Sequence, residues 1–269
     1  MVPLVGDLAP AKRRATALAV VVSGLLIGVL AARLISGIVA NYTNWRNVYW
    51  LACGIQFVLG LLLFFFLPDY PSTNPDGLNY FSALYSIPYM MATEPLLAQP
   101  CVGIFMLSAV FTSFWTTSTF LLTSSPHDYT SLQVGLFSLI GVATVVAIPF
   151  VGVLVDRFDP LLSALFAQIA LFASTVMGTL TGTFTIAGPI VEGIGIDLGF
   201  QTAQVANRAA VFGINAKARN RLNTAYMGSA FAGQLSGTAI GNKLYSMGGW
   251  KTSGYCNSNQ PPYYSSVVL

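Results

Sequence analysis

Long apolar runs, separated by short polar breaks, dominate the chain. A helix that crosses a bilayer needs about 20 mainly apolar residues. Such runs fall near 15 to 40, 47 to 67, 100 to 123, 132 to 155, 160 to 183, 184 to 206 and 222 to 246. Hydrocarbon offers backbone N–H and C=O groups no partner, so each run is predicted to be a helix. The breaks carry turn chemistry: Asn41-Tyr-Thr-Asn44, Ser125-Pro-His-Asp128, Arg157-Phe-Asp-Pro160 and Gly182-Thr183. The stretch 68 to 99 differs. It is long, Pro-rich and polar around Pro71-Ser-Thr-Asn-Pro-Asp-Gly77, with an amphipathic part from Leu78 to Met91, and it divides two helices from five. The pattern therefore predicts an all-α, polytopic membrane protein with about seven transmembrane helices.

Composition supports a bilayer as the main solvent. Of 269 residues, 55% are hydrophobic and 8% charged, against about a quarter charged in a soluble domain. A net charge of +3 is too small and too dispersed to propose a nucleic-acid partner. The basic residues instead report topology. With the N-terminus in the cytoplasm, Lys12, Arg13, Arg14, Arg157, Arg208, Lys217, Arg219 and Arg221 fall inside. Arg46 and Lys251 fall outside, and Lys243 lies near the outer end. That bias predicts a cytoplasmic N-terminus, and the plasma membrane is the expected location. Cys53, Cys101 and Cys256 show no framework spacing, which argues against a disulfide or metal role. The apolar run after Lys12-Arg13-Arg14 is too long for the core of a signal peptide.

Ionisable groups inside apolar runs are expensive, so they mark candidate function. The run 184 to 206 holds Glu192 and Asp197. At about 100° per residue, Asp197, Gln201, Gln204 and Arg208 share one helix face, read as the lining of a pathway. Gly188, Glu192, Gly195 and Gly199 share the opposite face, read as a close helix contact. A register-setting contact with a neighbouring helix is the competing reading for both acids, and it weighs more for Glu192. Gly193-Ile-Gly195 has no preceding strand and is not a dinucleotide loop.

Arg33 is the basic residue deep in the first run. Asp197 or Glu192 is its natural partner, and snorkelling to the outer face competes. Ser108, Thr112, Thr116, Thr119 and Thr123 share a face with Trp115 beside them. Such hydroxyls can contact a polar substrate, but more often they bond their own backbone. His127, the one histidine, sits in an outward loop and is a weak candidate for a proton relay. Asn41-Tyr-Thr43 forms a glycosylation sequon too close to the membrane for use. No nucleophile–base pair, metal cluster or phosphate loop is present, which argues against an enzyme and against a bound cofactor.

Three stretches together carry a resemblance. The first is Asp7-Leu-Ala-Pro-Ala-Lys-Arg-Arg14, with Gly24, Gly28, Ala32-Arg33-Leu-Ile-Ser-Gly37 and Asn44-Trp45-Arg46. The second is Pro149-Phe-Val-Gly152-Val-Leu-Val-Asp156-Arg157, and the third runs from Asp197-Leu-Gly-Phe-Gln201 through Asn207-Arg208 and Arg219 to Phe231-Ala-Gly233. They resemble the major facilitator superfamily, in particular bacterial-type efflux permeases that include sugar and nucleoside exporters. Members have twelve helices in two halves, and this chain matches helices 5 to 11. The implied organisation is 1–67 as a remnant of the N-terminal half, 68–99 as a cytoplasmic connector, 100–248 as five helices of the C-terminal half, and 249–269 as a polar tail that forms no further crossing.

The resemblance implies alternating access, with a proton gradient driving export of a small molecule by antiport. Asp197 is then the first candidate for substrate or proton coupling and Glu192 the second, with Gln201, Gln204, Arg33 and Trp115 as cavity contacts. Asp156, Arg157 and Arg208 form the implied conformational latch, although the usual later Gly and second basic residue of that loop are replaced by Phe158-Asp159-Pro160. Two other readings stand beside it. One is a shortened membrane protein that transports nothing. The other is a seven-helix receptor or photoreceptor with Lys243 in its last helix, which the basic-residue bias disfavours.

Overall fold

The computed structural model describes residues 14–67, 95–142, 144, 160–214 and 219–258. Among these residues the chain is all-helical, as the apolar runs predict. In chain order the helices are α1 (Arg14–Tyr42), α2 (Arg46–Phe66), α3 (Pro95–Thr123), α4 (Ser131–Phe137), α5 (Pro160–Thr181), α6 (Ala187–Ile214) and α7 (Arg219–Ser258). Arg46–Phe66 and Leu97–Thr123 are each long and apolar enough to cross a bilayer. Helix α2 has no buried residue, and Trp50, Phe57 and Phe64 lie exposed on it, a surface suited to lipid.

Local chemistry sets the helix ends. The Thr130 hydroxyl accepts the Gln133 N–H while the Gln133 side chain accepts the Thr130 N–H at 2.9 Å, a capping box that starts α4. Asn44 Oδ1 accepts the Arg46 N–H at 3.1 Å and begins α2. Helix α3 is described from Pro95, ahead of the apolar run that begins at 100. The apolar run predicts that α4 continues to 155. A turn at residues 138–139, with short bonds from Ser138 to Gly135 and from Val142 to Leu139, interrupts it after Phe137, and helix resumes at residues 140–142 and 144, where this run of described residues ends.

Small residues decide which helices meet. Lipid provides no hydrophobic drive between apolar helices, so close van der Waals approach must supply it. On α7, Gly233 and Gly237 lie against the Phe105 and Ala109 carbonyls of α3, and Gly241 lies against Ser113. On α6, Gly188, Glu192, Gly195 and Gly199 face Thr181, Gly178, Ser174 and Leu171 of α5, the close contact read from the sequence. On α1, a Cβ at Gly37 would lie 2.7 Å from the Gly135 Cα of α4. The core between α3, α5, α6 and α7 is built from residues such as Ile104, Phe114, Leu171, Ile196 and Tyr226.

The last helix differs from expectation. It continues past 246 to Ser258 and turns at Gly248–Gly249, where Gly249 has φ 68°, a conformation open to glycine at little cost. After the turn Trp250 and Ser253 are buried, and the Trp250 indole donates to the Gly178 carbonyl at 3.1 Å. A stretch whose polarity suggests a free tail thus returns to α5. The connector through residue 94, the Asp156–Arg157 loop and the tail beyond 258 lie outside the described residues.

Candidate functional site

Helices α1, α2, α3 and α4 surround a cavity of about 720 Å³, reached also by Gln234 of α7. The α3 wall presents Thr112, Thr116, Thr119 and Thr123, with Trp115 among them. Most of these hydroxyl hydrogens are already spent. Thr116 donates to the Thr112 carbonyl at 2.7 Å, Thr119 to Trp115 at 3.2 Å and Thr123 to Thr119 at 2.9 Å. What they offer the cavity is lone pairs. Ser108, expected on the same stripe, is fully buried and lies off the cavity wall.

Trp115 is the centre of the site. Its indole Nε1 donates to Asp197 Oδ1 of α6 at 3.0 Å, and the Arg33 guanidinium of α1 lies over its ring, 3.8 Å from the centroid. Edge contacts from Phe114 and Phe137, at 5.4 Å and 6.2 Å between centroids, hold the ring in place. The Gly37–Gly135 contact lies one turn from Arg33 and brings α1 close enough for this reach. Gly141 leaves room beside the acid, since a Cβ there would stand 3.4 Å from Asp197 Oδ2. Arg33 and Asp197 also attract each other electrostatically. One indole therefore joins a cation on its face to a carboxylate at its edge, an arrangement that favours both charges in a weakly solvated setting.

The remaining expected residues are dispersed. Glu192 is 1% exposed and sits in the α5–α6 seam against Gly178, away from the cavity wall, with Oε2 lacking a hydrogen-bond partner. Gln201 and Gln204 are half-buried on α6 and are not part of that wall. The Arg208 side chain, like Asp156 and Arg157, is outside the described residues. The His127 ring donates to the Gly182 carbonyl at 3.0 Å, tying the α3–α4 loop to the end of α5. Because Glu192 fits the seam by shape, Glu192→Gln is expected to change stability by less than about 1 kcal/mol. Thermal melting of the purified chain in detergent checks this, and a drop of many degrees would show that the acid itself holds the seam.

The sequence places Trp115 beside the hydroxyl stripe and among the cavity contacts, but not in its bridging role. The available signal was an indole within one turn of Thr112, Thr116 and Thr119. Sequence reasoning also missed the Gly233-x-x-x-Gly237-x-x-x-Gly241 repeat, whose spacing is plain in the sequence.

Fold and site together define a polytopic α-helical membrane protein in which Arg33 of α1, Trp115 of α3 and Asp197 of α6 meet. Residues 1–215 match the Major Facilitator Superfamily model, and the chain belongs to that superfamily. It is 30% identical over 256 residues to "Uncharacterized transporter YgaY" of Escherichia coli O157:H7, covering 95% of this chain and 64% of that protein. It is 32% identical over 251 residues to "Probable transporter SCO4007" of Streptomyces coelicolor, covering 93% of this chain and 57% of that protein. A shorter match, 26% over 142 residues, covers 52% of this chain and 35% of a "Probable sugar efflux transporter" of Helicobacter pylori (strain G27). The chain thus spans less than two thirds of the length of these relatives.

Proposed function

We propose that the chain works in proton-coupled export of a small molecule by alternating access, with Asp197 as the coupling carboxylate. The observation that carries this reading is the Arg33–Trp115–Asp197 bridge, which spans α1, α3 and α6. Rocking of α1 against α3 and α6 must make and break that bridge, and an acid within a membrane helix is a functional candidate by default. Glu192 is the second candidate, Gln201 and Gln204 are contacts further along α6, and Asp156, Arg157 and Arg208 steady one end state. The N-terminus is cytoplasmic and the membrane is the plasma membrane. The name of the Helicobacter relatives supports efflux as the direction.

The test uses everted membrane vesicles energised to acidify their lumen, with a pH-sensitive dye reporting collapse of the gradient as sugars and other small molecules are added. The wild-type chain is expected to respond to at least one of them. Asp197→Asn should lower that response about tenfold or more, the usual scale for losing a positioned proton-transfer group. An unchanged response in Asp197→Asn would remove the coupling role.

A further inference from the structure

We propose that the cavity between α1, α2, α3 and α4 takes a hydroxylated carboxylate, with its carboxylate on the Arg33 guanidinium and its hydroxyl groups on the serine and threonine oxygens of the wall. The inference deepens the transport reading by naming a substrate class, and it rests on that reading for the step of transport alone. The cavity, at about 720 Å³, falls in the range of about 300–1,000 Å³ usual for small-molecule sites.

Arg33 supplies the charge. It is the only formally charged side chain among the described residues of the cavity wall. Its guanidinium lies over Trp115, and among the described residues no oxygen accepts a hydrogen bond from it. Asp197 attracts it through space but lies off the wall, with Oδ1 taken by the Trp115 indole N–H. A guanidinium carries five N–H donors in a planar fork that matches a carboxylate. Arg33 stands nine residues before Tyr42, the end of α1, which is about 13 Å along the helix. A cation with unspent donors at that depth is expensive, and an anionic ligand that accepts from them removes the cost.

The wall hydroxyls supply the second half. Ser36 donates to the Arg33 carbonyl at 2.8 Å, Thr116 to Thr112 at 2.7 Å, Ser118 to Trp115 at 3.1 Å, Thr119 to Trp115 at 3.2 Å and Thr123 to Thr119 at 2.9 Å, and Ser138 donates to the Gly135 carbonyl. A hydroxyl has one hydrogen and two lone pairs, so these six side chains can offer a ligand only acceptors. An anion without donors of its own leaves them unused, whereas one that carries hydroxyl groups pairs with them. Trp45 and Tyr49 also line the cavity and give the C–H surface of such a ligand an aromatic wall.

The test measures ligand binding to the purified full chain in phosphatidylcholine nanodiscs by tryptophan fluorescence, since Trp45 and Trp115 border the cavity. The probes are glucuronate, glucose, glucosamine and cyclohexanecarboxylate, which separate the charge from the hydroxyl groups on rings of one size. Glucuronate is expected to bind at least about tenfold more tightly than each of the other three, the scale of one hydrogen bond to a charged group. In Arg33→Gln the preference for glucuronate over glucose should fall to about threefold or less, whereas Arg33→Lys keeps the charge and should retain most of it. Each preference is a ratio of dissociation constants on one protein, so a partly unfolded sample does not produce the change. Glucose, glucosamine or cyclohexanecarboxylate binding as tightly as glucuronate overturns the proposal, and so does an Arg33→Gln protein that keeps the full preference. The assay needs no gradient, so a glucuronate preference without any vesicle response overturns only the transport reading. A vesicle response beside equal binding of the four probes overturns only the carboxylate site.

Discussion

Gly237→Leu is expected to remove the folded chain from solution. A side chain at Gly237 would overlap the Ala109 carbonyl oxygen, and its Cβ would stand 2.6 Å from the Ala109 Cα. Overpacking that side chains can absorb costs about 1–3 kcal/mol. Here the obstacle is the backbone of α3, which cannot rotate away, so α3 and α7 must separate. That separation opens the core around Phe114, Leu222 and Tyr226, all about 1% exposed or less. Fluorescence-detected size exclusion should show loss of the monodisperse peak. Gly228 is the control, because it lies on the same helix and a methyl group there would meet nothing within 4 Å. Gly228→Ala should stabilise the helix by about 0.5–1 kcal/mol. A Gly237→Leu protein that elutes and melts like the wild type would show that the close contact does not hold the pair.

The second large effect concerns charge. Asp197→Ala removes the carboxylate that accepts the Trp115 indole N–H and attracts the Arg33 guanidinium, and losing a hydrogen bond to a charged group costs about 1.5–3 kcal/mol. Arg33 is half-buried and borders the cavity, which places the expected loss near the lower end. Arg33→Gln alone should also destabilise the chain, by stranding Asp197. Combining Arg33→Gln with Asp197→Asn removes both charges and should recover much of the loss, with a coupling of about 2 kcal/mol between the two sites. Melting temperatures of the wild type, both single variants and the double variant in one detergent give that coupling. Strict additivity would mean that the two charges do not depend on each other in the folded state.

Much of the fold was legible because bilayer physics leaves few options. The apolar runs became helices since a backbone in hydrocarbon must satisfy itself. The Gly188, Glu192, Gly195 and Gly199 face was readable as a contact because helical periodicity places those residues together whatever lies opposite. Other features were harder to read. The helical ending of α7 reads as a polar tail in the sequence, because the turn at Gly249 and the bond from Trp250 to Gly178 join residues far apart in the chain. Of the candidate residues, Arg33, Trp115 and Asp197 come together, while Glu192 is taken up by the α5–α6 seam.

Taken alone, the sequence determined a helical membrane protein, the span of most helices, the small-residue faces and the acids worth attention. These depend on local composition and on a period of 3.6 residues, both intrinsic to the chain. Only the tertiary structure decided that Trp115 stands between Arg33 and Asp197. That position depends on where α1, α3 and α6 converge, and their convergence is set by glycine contacts between segments about 100 residues apart, such as Gly37 with Gly135.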